Sequence, residues 1–420
     1  MRFIHAADLH VDSPLRGLEA YEGAPVDRLR NATRESFENL ITLAIDEHVD
    51  FTIIAGDLFD GKWPHMSTGI WTAAQFRRLN RENIPVYLLR GNHDAASQVR
   101  QSITWPQNVE EFSVSSPATL INEALGVALH GQGFPTRAIP EDLAAGYPQA
   151  KDGMFNIGVL HSSLTGDPQH DTYAPTTVET LVSRGYDYWA LGHVHHRRTI
   201  REMPYIAFSG NTQGRHIHEQ GPKGCLLVTV EKGNVEDVEF HATDTVRWHR
   251  VEIRLREDNG LDELYDAVRQ QLREARRQSE GRLAAVRVEI RGACAAHGAL
   301  VSKSGYEDAI GEIRNLANEF EDDVWVEKIL LATSAPVEIE QLRQGNDLMG
   351  DLLRTTKLLA GAGNEDELIE LAGELNSLSE KASLELQQAG LDLNDPEQLR
   401  RWLQQAEGLL VSMISESEEA

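Results

Sequence analysis

FTIIAGDLFD, residues 51–60, is the stretch that decides the fold. Its first half has no charge and reads as a strand covered on both faces, while Gly56, Asp57 and Asp60 follow where the chain must turn. Upstream, Arg30 to Glu47 sets Phe37, Leu40, Ile41, Ala44 and Ile45 on one helical face, and downstream Thr72 to Glu82 repeats that pattern. Further out lie RFIHAA at 2–7 and VYLLRG at 86–91. The order strand, helix, strand, helix, strand is that of an α/β layered sheet. VALHG (127–131), FNIGVLH (155–161), YWALGH (188–193) and YIAFSG (205–210) continue the strand signal.

The pattern changes near residue 246. Strand-like WHRVEIRL, helical Leu261 to Gln278, strand-like AAVRVEIRG, helical Tyr306 to Phe320 and strand-like VWVEKILLA predict a small α+β domain. After Pro336 the strand signal stops. Asp395-Pro396 is a cap and first-turn pair opening a final helix with the apolar stripe Leu399, Trp402, Leu403, Ala406, Leu410, Met413 and Ile414. At 420 residues the chain exceeds what one core serves. The expected domains are therefore 1–245, 246–335 and 336–420.

Composition narrows the class. Cys225 and Cys294 are too few for a disulfide framework, and no run approaches the roughly 18 apolar residues of a membrane helix. A reduced, cytoplasmic protein without a membrane partner is the expectation. The net charge of −26 argues against a broadly basic nucleic-acid surface, so any DNA contact must be local. The acidity is not confined to the tail, since residues 361–420 hold 14 Asp or Glu against 3 Lys or Arg.

Five segments place metal-competent side chains just past strands: Asp8-Leu-His10, Gly56-Asp57-Leu-Phe-Asp60, Gly91-Asn92-His93-Asp94, Gly158-Val-Leu-His161 and Gly192-His193-Val-His195. The carboxyl ends of strands in an α/β sheet are where distant residues converge, and the glycines allow sharp turns there. Any one segment alone reads more readily as a cap, a turn or a buried hydrogen-bonding group. Jointly they fit two cations about 3.5 to 4 Å apart that clamp the attacking and leaving oxygens of an in-line displacement at phosphorus. Mixed imidazole, carboxylate and amide donors favour Mn, with Fe or Zn as alternatives.

In this order the segments resemble the calcineurin-like metallophosphoesterases. That resemblance implies a sandwich of two β-sheets flanked by helices, followed by a small α+β capping domain and C-terminal helices. It implies Asp8, His10, Asp57 and His195 as ligands of one metal and Asp57, Asn92, His161 and His193 as ligands of a second, with Asp57 bridging. It also implies that His93 protonates the leaving oxygen, its ring oriented by Asp94. Asp60 either orients a ligand or caps the following turn.

His10-Val-Asp-Ser-Pro-Leu-Arg-Gly-Leu18, Ser209-Gly-Asn-Thr-Gln-Gly-Arg-His216 and Glu219-Gln-Gly-Pro-Lys-Gly224 are similar to the SbcD-type DNA-repair exonucleases, in particular the YhaO-like branch. The resemblance implies a Mn-dependent DNA exonuclease, with endonuclease activity as an option, working beside an SbcC-like coiled-coil ATPase; a homodimer is compatible. Arg215 and His216 would hold a substrate phosphate or form a loop ion pair. His130, His196 and His218 have no assigned role. Arg269, Arg273, Arg276 and Arg277 recur at helical spacing, where interleaved acids favour a solvated face over a DNA contact. Two other functions compete: a cyclic-nucleotide phosphodiesterase or phosphomonoesterase on the same metals, and a non-catalytic subunit that recruits the ATPase.

Overall fold

Strands β1 (Arg2–Ala6), β2 (Phe51–Ala55) and β3 (Val86–Leu89) are buried along almost their whole length because helices cover one face and a second sheet the other. The computed structural model describes residues 1–13, 23–60, 66–95, 103–164, 173–336, 342–361, 373, 395, 397–400 and 402–403. The chain divides into two compact units. One holds Met1–Val251, Val268–Val288 and Ile313–Ile329, the other Glu252–Ala267, Glu289–Glu312 and Leu330–Ala420.

In the first unit, β1, β2, β3 and β4 (Val109–Glu111) run parallel, and β11 (Gly224–Glu231) and β12 (Asn234–Ala242) extend the sheet antiparallel beyond β1, giving the order β12-β11-β1-β2-β3-β4. The second sheet has the order β5-β6-β7-β8-β10-β9. Its central strands β6 (Val127–Gly131), β7 (Phe155–His161), β8 (Tyr188–Gly192) and β10 (Tyr205–Phe208) are parallel, and β5 (Ala118–Asn122) and β9 (Arg198–Glu202) close its edges. Phe3, Phe51, Tyr87, Leu129, Ile157, Tyr188 and Val228 pack between the sheets. Helices α1 (Val26–Asp46) and α2 (Met66–Arg81) cover the outer face of the first sheet through Phe37, Leu40, Ile41, Phe76 and Leu79. Helix α4 (Val178–Ser183), capped by Thr177, covers the second through Leu181. The expected two-sheet sandwich is therefore present. The one-turn helix α3 (Asn92–Ala95) follows β3.

A third sheet, β13-β14-β15 (Val246–Arg254, Leu283–Ala293, Val324–Ser334), alternates with α5 (Leu261–Ser279), α6 (His297–Val301) and α7 (Lys303–Asn318). On α5, Arg269 pairs with Glu319, Arg276 with Asp323 and Arg277 with Glu274, so these arginines form a salt-bridged face and not an open one. In the second unit, α8 (Leu348–Leu359) is capped by the Asp347 carboxylate, which accepts from Gly350 N. Leu399 packs with Trp402 and Leu403. Ala406, Leu410, Met413 and Ile414 of the expected stripe lie outside the described residues, as do residues 14–18 of the first resemblance segment.

Candidate metal centre

All seven sequence-predicted ligands sit where the strands β1, β2, β3, β7 and β8 end. Backbone pairing continues past β1 and β2, with Asp8 N donating to Gly56 O and His10 N to Asp57 O, both at 3.0 Å. These loops stay side by side while their residues adopt conformations that ordinary strands avoid. Asp8, His10, Asp57 and His193 all have left-handed φ (54°, 44°, 53° and 95°). Such angles cost about 1–3 kcal/mol each for residues other than glycine and cluster where function over-determines the backbone.

The motif glycines serve close approach more than turning. Only Gly56 has positive φ, at 99°. A Cβ on Gly56 would stand 2.3 Å from His161 Nδ1, one on Gly91 2.2 Å from Asp57 Oδ1, and one on Gly192 2.0 Å from Ala55 O. Turning explains Gly56; Gly91 and Gly192 are glycine because the Asp57 carboxylate and the Ala55 carbonyl oxygen occupy their Cβ positions.

Two histidine tautomers are fixed from behind. His161 Nδ1 lies 3.0 Å from the Ala55 carbonyl, which can only accept, so Nδ1 carries the proton and a neutral ring presents its Nε2 lone pair. That Nε2 is 2.8 Å from Asn92 Oδ1 and 3.3 Å from Asp57 Oδ2. His195 Nδ1 lies 2.6 Å from Glu219 Oε1, so its Nε2 faces His10 Nε2 at 3.2 Å and Asp8 Oδ1 at 3.8 Å. Acceptor thus meets acceptor where His161 Nε2 faces Asn92 Oδ1 and Asp57 Oδ2, and two ring nitrogens face each other at His10 and His195, with Asp57 Oδ2 also 3.9 Å from His10 Nε2. A proton or a cation must stand between them. Among the described residues, Asp8, His10 and His195 form one group with mutually close donor atoms and Asp8, Asp57 and His161 another. These nitrogen and oxygen donors fit divalent ions, and histidines held from behind by a carbonyl and a carboxylate are the usual support of such ligands.

Electrostatics agree. Burial would lower the His161 pKa, yet the Asp57 carboxylate outweighs it and pushes the ring up to about 9, whereas burial and the Arg215 charge hold His10 well below the usual range. Burial raises Asp8, partly offset by His195 and His161. Burial would also raise Asp57, but His161 and His10 hold it well below the usual carboxylate range. The His193 amide donates to both oxygens of Asp8 at 3.1 and 3.0 Å, and its ring meets His161 edge-on.

His93 stands beside these groups, its backbone N–H donating to Asp57 Oδ1 at 2.9 Å. The expected orienting partner changes. His93 Nδ1 is 2.7 Å from Asp60 Oδ1, whereas the Asp94 carboxylate accepts from the amides of Leu58, Phe59 and Gly91 at 3.2, 3.0 and 3.1 Å. Asp94 turns back into its own one-turn helix and ties the β2 and β3 loops together, which leaves the ring to Asp60. Asp60 also accepts from Ser13 Oγ at 2.7 Å. Burial would lower the His93 pKa, but the Asp60 hydrogen bond and the Asp57 charge raise it.

Arg215 reaches the centre from the loop after β10. Its guanidinium lies 3.3 Å from His195 Nδ1, 3.4 Å from Glu219 Oε1 and 3.8 Å from Asp60 Oδ2, so the loop ion pair and proximity to the centre hold together. His216 sits at the rim with a side chain 54% exposed, 3.7 Å from Glu219. Glu219 is the residue that sequence reasoning missed. Its carboxylate accepts from Arg215 N and Asn211 Nδ2, and His195 and Arg215 hold it well below the usual range against burial. His130 is bound to Thr119 and Asn156 and stacks on Tyr186, a role in packing. His218 lies against the His216 ring, and His196 is exposed.

Comparison with known proteins gives the following matches. Residues 1–197 match the family model described as calcineurin-like phosphoesterase, and residues 248–334 the model described as metallophosphoesterase YhaO, middle domain. A Bacillus subtilis (strain 168) protein described as uncharacterized metallophosphoesterase YhaO is 39% identical over 272 residues. That alignment spans 64% of this chain and 66% of the relative, just under two thirds of its length.

Proposed function

The first 197 residues place the chain in the calcineurin-like phosphoesterase family, and from that premise we infer that it hydrolyses phosphodiester bonds with two divalent metal ions, as a DNA nuclease. The observation that carries the reading is the convergence of His161 Nε2, Asn92 Oδ1 and Asp57 Oδ2 on one side, and of His10 and His195 Nε2 on the other. Asp8, His10, Asp57 and His195 would hold one ion, and Asp57, Asn92, His161 and His193 the second, with Mn the expected metal. Bound ions supply Lewis acidity toward the phosphoryl oxygens and a nucleophile at neutral pH.

The chain's own residues account for the remaining steps. His93, held at Nδ1 by Asp60, presents Nε2 to the leaving oxygen and gives it a proton. Asp60 then stabilises the proton that remains on Nδ1. Arg215, stiffened by Glu219, lies where it can meet a non-bridging phosphate oxygen. Glu219 keeps His195 in the tautomer that offers Nε2.

DNA as the substrate is supported by the SbcD-like loop Ser209–Gly224, which brings Arg215 and Glu219 to the centre. We further propose that the C-terminal helices dock on an SbcC-like coiled-coil ATPase, with Trp402 and Leu403 as anchors. The test compares labelled duplex DNA, single-stranded DNA, a cyclic nucleotide and an aryl phosphate under Mn. DNA should be cut in preference, and efficient turnover of the cyclic nucleotide with DNA left intact would sink the nuclease reading.

A further inference from the structure

We propose that the outer face of strand β9 is a phosphate track that carries the nucleic-acid strand away from the metal centre. The inference rests on the nuclease reading and adds where the substrate lies. Directly after the last ligand motif the chain reads His195-His-Arg-Arg-Thr-Ile-Arg201, in a protein whose net charge is −26. Among the described residues, strand β9 is the edge of the second sheet, paired only to β10. β10 runs parallel to β8 and β9 antiparallel to β10, so β9 leaves the ends where His161 and His193 stand. Arg198 is therefore near the centre and Arg201 farther out.

Residues three apart on a regular strand face opposite ways. Here the ladder slips by one residue: Arg198 pairs with Phe208 and Thr199 with Ala207, but Arg201 pairs with Ile206, leaving Ile200 as the extra residue. Such a bulge restores a common side, and Phe208 and Ile206 both belong to the cluster on the outer face of the second sheet. Arg198 and Arg201 thus share one face and are both exposed. Arg197 is fixed nearby, its guanidinium 3.8 Å from the Phe240 ring centroid. His216 and His218 stand exposed on the loop that returns to the centre.

Two comparisons within the chain separate this strip from ordinary surface charge. Arg269, Arg276 and Arg277 of α5 are each paired with a carboxylate, whereas among the described residues no carboxylate lies within ion-pair distance of Arg197, Arg198 or Arg201. Edge strands commonly carry charge to prevent pairing with other chains. The edge strand of the first sheet, β12, does so with Glu236, Asp237 and Glu239, the sign that prevails in this chain. Strand β9, with Arg198 and Arg201 beside the single acid Glu202, carries a net positive charge and starts at the end of the sheet where the centre lies. Arginines and the unpaired amides of an edge strand suit phosphate oxygens, which position a strand without reading its sequence.

The test is the full-length Arg198→Gln/Arg201→Gln variant, with Arg198→Lys/Arg201→Lys to keep charge and Arg277→Gln on α5 as control. Each is assayed under Mn on a labelled single-stranded oligonucleotide and on bis(4-nitrophenyl) phosphate, an ester too short to reach β9. The Gln variant should lose about tenfold or more in kcat/KM on the oligonucleotide, keep parental turnover of the small ester, and recover most of the loss with Lys. Binding of the oligonucleotide should depend less on salt, its log–log slope falling by about 1.4 for two lost contacts to a single strand. If the parent cuts the oligonucleotide and the Gln variant cuts it equally well, the track is overturned. A parent that hydrolyses only the small ester overturns the nuclease reading itself. Loss of binding to phosphatidylserine vesicles, with DNA cleavage unchanged, would reassign the strip to a membrane surface.

Discussion

His93 and Asp60 offer the sharpest test of the chemistry, because the proposed acid is hydrogen-bonded to that one carboxylate. Asp60 Oδ1 is 2.7 Å from His93 Nδ1. A hydrogen bond to a charged group contributes about 1.5–3 kcal/mol and a neutral one about 0.5–1.5. Asp60→Asn keeps an acceptor but removes the charge, so it should cost roughly 1.4 kcal/mol, about tenfold in rate. His93→Asn removes the acid altogether and should cost about 10²- to 10⁴-fold. The double variant should be no slower than His93→Asn alone, since residues acting as a unit are not additive. The assay is kcat on a dinucleotide, whose alkoxide must be protonated to leave, against a nitrophenyl ester, whose phenolate leaves unaided; both losses should nearly vanish on the ester. Asp60 also lies 3.8 Å from His10 Nδ1, so metal content is measured in each variant. Equal losses on the two substrates, or additive losses in the double variant, would refute the proton-donor argument.

Mn-reconstituted protein should hold two ions per chain by elemental analysis, and Asp57→Asn, which removes the shared charge, should reduce that number. Glu219→Gln loosens the ring behind a ligand and should weaken metal binding by about 10- to 100-fold by titration, while leaving the melting temperature within a few degrees. His5 is a separate case of pH dependence: burial holds its ring down to about 3, so the folded protein keeps it neutral between Tyr188 Oη and the Leu191 carbonyl. An unfolded His takes up a proton below about pH 6.5 that the folded one refuses, so stability is lost as pH falls from 6.5 toward 3, by about 2 kcal/mol at pH 5. Denaturant melts at pH 7.5 and 5 should show that much less pH sensitivity in His5→Gln than in the parent.

Much of the centre was legible because ligand chemistry is a matter of residue type and of strand ends, and both are written in the chain. The seven residues that the motifs single out lie together at the strand ends. The buried parallel strands were legible for a related reason: a strand covered on both faces has no polar positions to blur it, as in Phe51–Ala55. The edges were not. Strand β9 reads RTIRE and β12 reads NVEDVEFHA, both dominated by charge, since one flank and one face of an edge strand meet water.

Roles fixed by direction in space were also hidden. Asp60 and Asp94 flank the same histidine in the motifs, and residue type cannot say which one turns toward its ring. The outcome follows from amide supply: three backbone N–H groups of the β2 and β3 loops need an acceptor, and Asp94, rooted in the one-turn helix beside them, is placed to satisfy all three. Among the described residues, Asp60, beyond the end of β2, has Ser13, Arg215 and the histidines within reach. The same accounting explains Glu219. A buried carboxylate must be paired or protonated, and His195, Arg215 and Asn211 pair it fully, so the loop that carries Glu219 is held against the centre by the ligand it supports. Any change that frees Glu219 should therefore loosen Arg215 and His195 together. If Arg215 meets the substrate and His195 a metal ion, as proposed, that coupling ties the two together through one carboxylate.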